Sequence, residues 1–494
     1  MTAVTPKDAA SIVILSNPED PHIYWVRRAD ALVYMGGFHV FPGGQRDSGD
    51  AEINVLNAPD ADTATMITCA IREAFEETGV LIAPGSERLS TAQIGELRAE
   101  LMAETASFKE ILSKANLSLD ATLLASGGRW LTPPFAPRRF NTWFFTCWLP
   151  AGQQPEIING ELVEGEWIRP CEALARWQAS KVMMAPPTIH IIRTLSGGLD
   201  NLGARLTSIP EANGGLVRRI EMRPGILLFP VRTPTLPPAT HTNCYLVGGE
   251  EFVIIDPASP YQEEQASLAQ FIDEMIAAGQ RPREILLTHF HPDHVGGVEA
   301  LRAHLGVPVA AHELAQARLG NQVKIDRFLK DGDRINLPGD PGWQLVALHT
   351  PGHSRDHLCF YEEQSGALIS GDLIVGFGSV IIDPPEGNMK QYLDSLRRVE
   401  ALPLLTVLFG AHGPPVGSAR AKVAEYIFHR LERETNIIKA LGQDAKTIPE
   451  VVKAVYTDVP EKLHSLAERS VLAHLEKLLV EDRVKELAGR YQLV

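Results

Sequence analysis

A chain of 494 residues with 45% hydrophobic and 22% charged content has ordinary globular composition, long enough for about three domains. Its formal net charge of −15 argues against broad, non-specific attraction to nucleic acid. Its longest apolar stretches, such as Gly225 to Val231 and Phe252 to Ile255, fall far short of the roughly 20 residues of a membrane-spanning helix.

At the start of the chain, Met1 to Ala10 lacks the basic start and apolar core of a signal peptide, so the expected location is the cytoplasm. Cys69, Cys147, Cys171, Cys244 and Cys359 are scattered and odd in number, which suits reduced thiols rather than a disulfide framework. The first stretch with chemical content is Arg72-Glu73-Ala74-Phe75-Glu76-Glu77-Thr78-Gly79-Val80. On a helix Glu73, Glu76 and Glu77 share one face, and Gly79 stops the helix. Three carboxylates on one face repel each other without a cation, and hard oxygen ligands suit magnesium or manganese, which in turn grip a diphosphate. The plain alternative is a solvated acidic face.

This stretch resembles the second half of the Nudix box, G-x5-E-x7-R-E-U-x-E-E-x-G-U, and Phe41-Pro42-Gly43-Gly44 resembles its opening. The resemblance implies a Nudix α/β/α sandwich in which Glu73, Glu76 and Glu77 bind metal and act in catalysis while Arg72 steadies the first of them. The usual box has thirteen residues between its first Gly and the Arg. Gly44 and Arg72 have 27 between them, so an insertion interrupts the box and leaves its first Glu unassigned, Glu52 included. The insertion, with Trp130 to Pro133, Pro137-Arg138-Arg139-Phe140 and Glu161 to Trp167, resembles the Nudix branch related to coenzyme A diphosphatases. Arg138 and Arg139 are candidate phosphate ligands, weighed against ordinary surface arginines.

Between Leu195 and Arg223 the chain turns to Gly, Asn, Ser and Pro, which places a boundary there: a domain over 1–200, a linker over 201–215 and a middle domain over 216–416. In the middle domain short apolar strands (Thr242 to Val247, Phe252 to Asp256, Glu284 to Thr288, Gln344 to His349, Ala367 to Ser370, Thr406 to Phe409) alternate with helical stretches at Glu263 to Ala278 and Gly297 to His304. An α/β (α+β) multidomain fold follows, with sites at strand C-terminal ends.

The run Thr288-His289-Phe290-His291-Pro292-Asp293-His294-Val295-Gly296-Gly297 packs four potential metal ligands into six positions. In an extended His-x-His both imidazoles point the same way, and Asp293 and His294 fall where the chain turns into a helix. Downstream candidates each stand beside glycine: Gly352-His353, Gly371-Asp372 and His412-Gly413. Two divalent ions about 3.5–4 Å apart can share a water, lower its pKa and stabilise charge on an attacked carbonyl or phosphoryl oxygen.

At these residues the chain resembles the metallo-β-lactamase superfamily and its H-x-H-x-D-H motif. The resemblance implies an αββα sandwich in which His289, His291 and His353 hold one metal, Asp293, His294 and His412 the other, and Asp372 bridges them, with Asp293 also orienting the water. Zinc is the expected metal, manganese or iron the alternatives. Asp256 is expected to support the site, while His190, His241, His304, His312 and His357 are read as structural or surface histidines.

After His412 a helical pattern over Val423, Tyr426, Ile427, Leu431, Ile438 and Leu441 opens a third unit, 417–494, whose order of helices and a hairpin-like end suggests a winged helix. It resembles the tail of the lactamase-β-like endoribonuclease group. The interval from Asp372 to His412, 39 residues, is too short for the additional domain of the large nucleases of the superfamily. The expected substrate is a thioester or nucleotide-linked diphosphate, with a glyoxalase II-like hydrolase as the leading reading. Alternatives are a single-strand endoribonuclease, which makes RNA the partner, and a nucleotide-sensing regulator. No membrane partner is expected, and the oligomeric state stays open.

Overall fold

The computed structural model describes residues 4–494 apart from 33, 135, 137, 159, 340–341, 443 and 458–463; Pro137 of the arginine-pair motif thus lies outside the described residues. The chain divides into two compact units, Met1–Leu227 and Leu228–Val494.

The N-terminal unit is built on one mixed sheet. Its central strand, Lys7–Leu15, pairs in parallel with Phe140–Trp148 and antiparallel with Ile23–Arg28 and Gly43–Gln45. Ala9 to Leu15 are buried on both faces, as in a strand covered from two sides. Helix Ala61–Thr78 presses Ile67, Ala70, Ile71, Ala74 and Phe75 into the same core as Ile12 and Ile14, which leaves the opposite face for its carboxylates. Asp60 caps its start by accepting from the Thr63 N–H, and Gly79, at φ 73°, ends it as expected.

The expected linker over 201–215 is structured instead. It holds helix Leu202–Leu206, and strand Asn213–Leu216 pairs in parallel with Leu124–Leu131. Its glycines and prolines serve turns within the sheet unit, so the boundary falls near Leu227.

The C-terminal unit carries two sheets. In the first, Ile226–Arg232, His241–Gly248, Glu251–Ile255, Arg281–Leu286, Val309–His312 and Arg327–Leu329 lie side by side in that order. In the second the order is Arg334–Leu337, Trp343–His349, Leu358–Glu362, Ala367–Gly371 and Val407–Gly410. The sheets face one another: the Tyr245 ring meets Phe409 edge-on with centroids 5.8 Å apart, and the Asn243 amide donates to the Gly410 carbonyl at 2.9 Å. Helices Gln262–Ala277 and Val298–Leu305 pack against Arg281–Leu286. Met389–Glu400 and Ala419–Leu441 pack on the second sheet. This is the αββα layering that the resemblance implies.

The third unit expected from residue 417 has a small core of its own and shares its first helix with the second sheet. Helix Ala419–Leu441 contributes Val423 and Tyr426 to the core of the second sheet, and Ile437 and Leu441 to a separate core with helices Ile448–Val455 and His464–Val480. The hairpin Val484–Leu487 and Arg490–Leu493 closes that smaller core as the wing. Its apolar positions run the helix's whole length, so one helix serves two cores.

Candidate metal centre

Each expected ligand follows the end of a strand. His289 and His291 follow Arg281–Leu286, His353 follows Trp343–His349, Asp372 follows Ala367–Gly371, and His412 follows Val407–Gly410. Pro292 opens the short helix Pro292–Val295, which turns Asp293 and His294 back toward the two histidines. All seven expected ligands converge. Their donor atoms form three overlapping groups, His289/His291/His353, His289/His294/Asp372 and Asp293/His294/His412, each within 4.8 Å. The Asp372 carboxylate lies between the sets, 3.5 Å from His353 Nε2, 3.7 Å from His294 Nε2 and 3.4 Å from His412 Nε2.

The imidazoles are oriented from behind. His353 Nδ1 sits 2.9 Å from the Ile381 carbonyl and His412 Nδ1 2.9 Å from that of His241, so both rings aim Nε2 at the cluster. Asp256 performs the expected supporting role: its carboxylate meets His294 Nδ1 at 2.8 Å and accepts from the Thr288 hydroxyl at 2.6 Å and the Thr288 N–H at 2.8 Å. His357, read from sequence as structural or surface, is fully buried, and its Nε2 accepts from the Asp372 N–H at 3.0 Å while Nδ1 meets the Thr350 hydroxyl at 2.9 Å. The other histidines stand apart: His304 pairs with Asp273, His190 with the Leu206 carbonyl, and His312 stacks on His349.

Burial holds His289 and His353 below their ordinary pKa and pushes His291 down to about 3, which keeps these imidazoles neutral and able to ligate. Burial would raise Asp372, but His412 and His294 outweigh it and hold the carboxylate well below its usual range. The donor set fits a divalent metal on a further count: among the described residues, His294 Nε2 and Asp372 Oδ1 are buried without a hydrogen-bond partner. Leaving each unpaired costs about 1–3 kcal/mol, which coordination to a cation removes.

In the N-terminal unit the carboxylate helix places its residues differently. Arg72 donates through Nη1 to Glu73 at 2.8 Å and Glu76 at 3.3 Å, and Glu77 accepts from the Gly43 N–H at 2.8 Å. Among the described residues, the groups of three or more potential ligands within 4.8 Å all lie in the C-terminal unit, so Glu73, Glu76 and Glu77 share a face without converging on one point. Burial raises all three, Glu73 to about 7 and Glu77 to about 8. Gly44 lies against Glu73, whose carboxylate oxygen would be 2.4 Å from a Cβ at that position.

Sequence reasoning did not single out Asp50, which pairs with Arg72. It is buried, and Arg72 forks onto it with Nε at 2.7 Å and Nη2 at 2.9 Å. Leaving the five intervening residues of the box after Gly44 reaches Asp50, past Asp47, with the insertion falling between Asp50 and Arg72. Arg139, a candidate phosphate ligand, instead donates to the Thr132 and Val4 carbonyls at 2.9 and 2.8 Å.

With this geometry in hand, family comparisons match three segments of the chain, one in the N-terminal unit and two in the C-terminal unit. Residues 237–412 match the metallo-beta-lactamase superfamily, 57–195 the NUDT19 Nudix domain and 447–490 the beta-lactamase associated winged helix domain. A beta-lactamase-like protein 2 homolog of Caenorhabditis elegans is 30% identical over 239 residues, 48% of this chain and 78% of that protein. An atrochrysone carboxyl ACP thioesterase of Aspergillus chevalieri is 30% identical over 298 residues, 58% of this chain and 88% of that protein. The crystal structure of a metallo-beta-lactamase family protein from Thermus thermophilus aligns with a TM-score of 0.45 and 26% identity, covering 55% of this chain and 99% of that one. The chain belongs to the metallo-β-lactamase superfamily, and it is a hydrolase with a Nudix domain ahead of that fold and a winged helix behind it.

Proposed function

We propose that the C-terminal unit hydrolyses a thioester at a dinuclear centre in which His289, His291 and His353 hold one divalent metal, Asp293, His294 and His412 the other, and Asp372 bridges them. The observation that carries this reading is the convergence of seven side chains, two of whose buried donor atoms have no hydrogen bond among the described residues. When bound, such ions would supply Lewis acidity and lower the pKa of a water. Neutral nitrogen donors on His289, His291 and His353 favour zinc, while the carboxylates also suit manganese or iron. Asp293, half-buried and 3.7 Å from His412 Nε2, orients the attacking water and takes its proton. A thiolate leaving group, with a conjugate-acid pKa of about 8.5, departs without a dedicated general acid. The thioesterase names among the curated relatives support this substrate class.

We infer for the Nudix domain a magnesium- or manganese-dependent hydrolysis of a nucleotide-linked diphosphate, with Glu73, Glu76 and Glu77 as ligands and Arg72 held by Asp50. The deciding experiment assays metal-analysed protein on acyl-glutathione and acyl-coenzyme A thioesters, on coenzyme A-type diphosphates and on a short single-stranded RNA, beside an Asp372→Ala variant. Thioester hydrolysis that falls to background in the variant is the expected result. RNA cleavage lost in the variant, without thioester hydrolysis, overturns it in favour of the endoribonuclease reading. Tight nucleotide binding with no turnover on any substrate favours the sensor.

A further inference from the structure

The ligand His353 depends on a carbonyl that belongs to no sheet. Its Nδ1 is held by the Ile381 oxygen at 2.9 Å, and residues 379–383 have no regular secondary structure to fix that carbonyl's direction. The residues around it are held from the C-terminal helices. Arg430, buried on helix Ala419–Leu441, donates through Nη2 to the Val380 carbonyl at 2.6 Å. Its guanidinium also lies 5.3 Å from the Tyr392 ring centroid, and the Tyr392 hydroxyl donates to the carbonyl of Leu373, next to the ligand Asp372. One turn earlier, the Tyr426 hydroxyl donates to the Gly378 carbonyl at 2.9 Å.

On the other flank, Arg469 of helix His464–Val480 places Nη1 2.6 Å from both Asp383 carboxylate oxygens. The same two helices also share an ion pair with no hydrogen bond to residues 378–383 among the described residues: the buried Glu434 accepts from Lys477 Nζ at 2.9 Å.

We infer that Arg430 and Arg469 are positioning residues for the metal ligand His353, so that the winged-helix tail braces the metal centre through residues 378–383. This rests on the two-metal reading above. A hydrogen-bond acceptor behind a ligating histidine sets its ring orientation and tautomer, and losing such a partner typically weakens metal affinity 10–100-fold. With Val380 and Asp383 anchored, Ile381 has little freedom to turn its oxygen away. Releasing either anchor lets the imidazole rotate.

The test uses the full chain, stripped of metal and titrated with Co(II), reading affinity and the visible ligand-field bands. Arg430→Met, which keeps length but removes the donor, is expected to bind about tenfold more weakly with altered bands, and Arg430→Lys to recover part of the loss. Lys477→Met removes one partner of Glu434 without touching residues 378–383. It is expected to lower the melting temperature while leaving Co(II) affinity and bands as in the wild type. Wild-type affinity and bands in Arg430→Met, or equal loss of affinity in Lys477→Met, overturn the inference while the metal reading stands. Should Arg430→Met fail to fold, Arg469→Glu, which repels Asp383, carries the test: several-fold weaker binding supports the brace and wild-type binding sinks it. A wild-type chain that binds no Co(II) overturns the metal reading and the brace together.

Discussion

Gly371 carries the turn that presents Asp372. At φ +50° it sits in the left-handed region, and an added Cβ would meet His357 Nε2 at 2.7 Å and Thr288 Cβ at 2.9 Å. Both neighbours belong to the buried support of the ligands and have no room to give. Gly371→Ala is expected to cost about 1–3 kcal/mol of stability through overpacking, read as a lower urea midpoint with an unchanged slope. At Asp256 the logic is electrostatic rather than steric. Its left-handed backbone, φ 53°, tolerates asparagine, so Asp256→Asn keeps the turn and the acceptor for the Thr288 N–H. What it loses is the anion behind His294. Competition with a chelator is expected to show metal affinity reduced about 10–100-fold with the fold intact.

At the scale of elements, helix Ala61–Thr78 concentrates three raised carboxyls on one face. For an acid whose folded pKa is raised, the stabilising protonated form is fully present below the unfolded value and lost as pH rises through the folded one. With Glu73 raised to about 7 and Glu77 to about 8, stability in the presence of chelator is expected to fall between about pH 5 and 8. Magnesium binds the ionised forms, so the melting-temperature increase it produces should grow over the same range. Glu77→Gln should flatten the first profile and reduce the second. A melting temperature in chelator that rises from pH 5 to 8 contradicts the assignment. Helix Ala419–Leu441 answers to packing instead. Because Val423 and Tyr426 complete the core of the second sheet, a chain ended at residue 417 is expected to lose the cooperative thermal transition of the C-terminal unit while that of the N-terminal unit persists.

For the whole molecule, the C-terminal unit gathers nitrogen-rich groups of potential metal donors, and the N-terminal unit carries the row of carboxylates proposed above as magnesium ligands. Their activities are expected to separate by substitution. Asp372→Ala should abolish thioester hydrolysis and leave diphosphate hydrolysis unchanged, and Glu76→Gln should do the reverse, in parallel assays of one preparation. Among the described residues no helix is long and apolar enough to cross a membrane, in keeping with the short apolar runs of the sequence. Legibility follows the same division of scale. The strand and helix pattern of 242–304 was readable because alternation and helical spacing are local, and it matches the observed His241–Gly248, Glu251–Ile255, Gln262–Ala277 and Val298–Leu305 closely. The short strands Val309–His312 and Arg327–Leu329 escaped notice because three or four residues hold too little periodicity to stand out.

By itself the sequence determined the inventory of candidate ligands, since His289 to His294 share one loop and His353, Asp372 and His412 stand beside glycines that permit sharp turns. It also determined the carboxylate face of the Nudix helix, because i, i+3 and i+4 positions fall together on any helix. Only the tertiary structure decided that Asp50 holds Arg72 across the insertion, that Asp256 and His357 support His294 and Asp372, and that Arg430 reaches Val380. It alone also placed residues 201–216 in the N-terminal unit and divided one helix between two cores. These contacts join residues far apart in the chain, and their formation depends on the packing of whole layers, which no local spacing encodes.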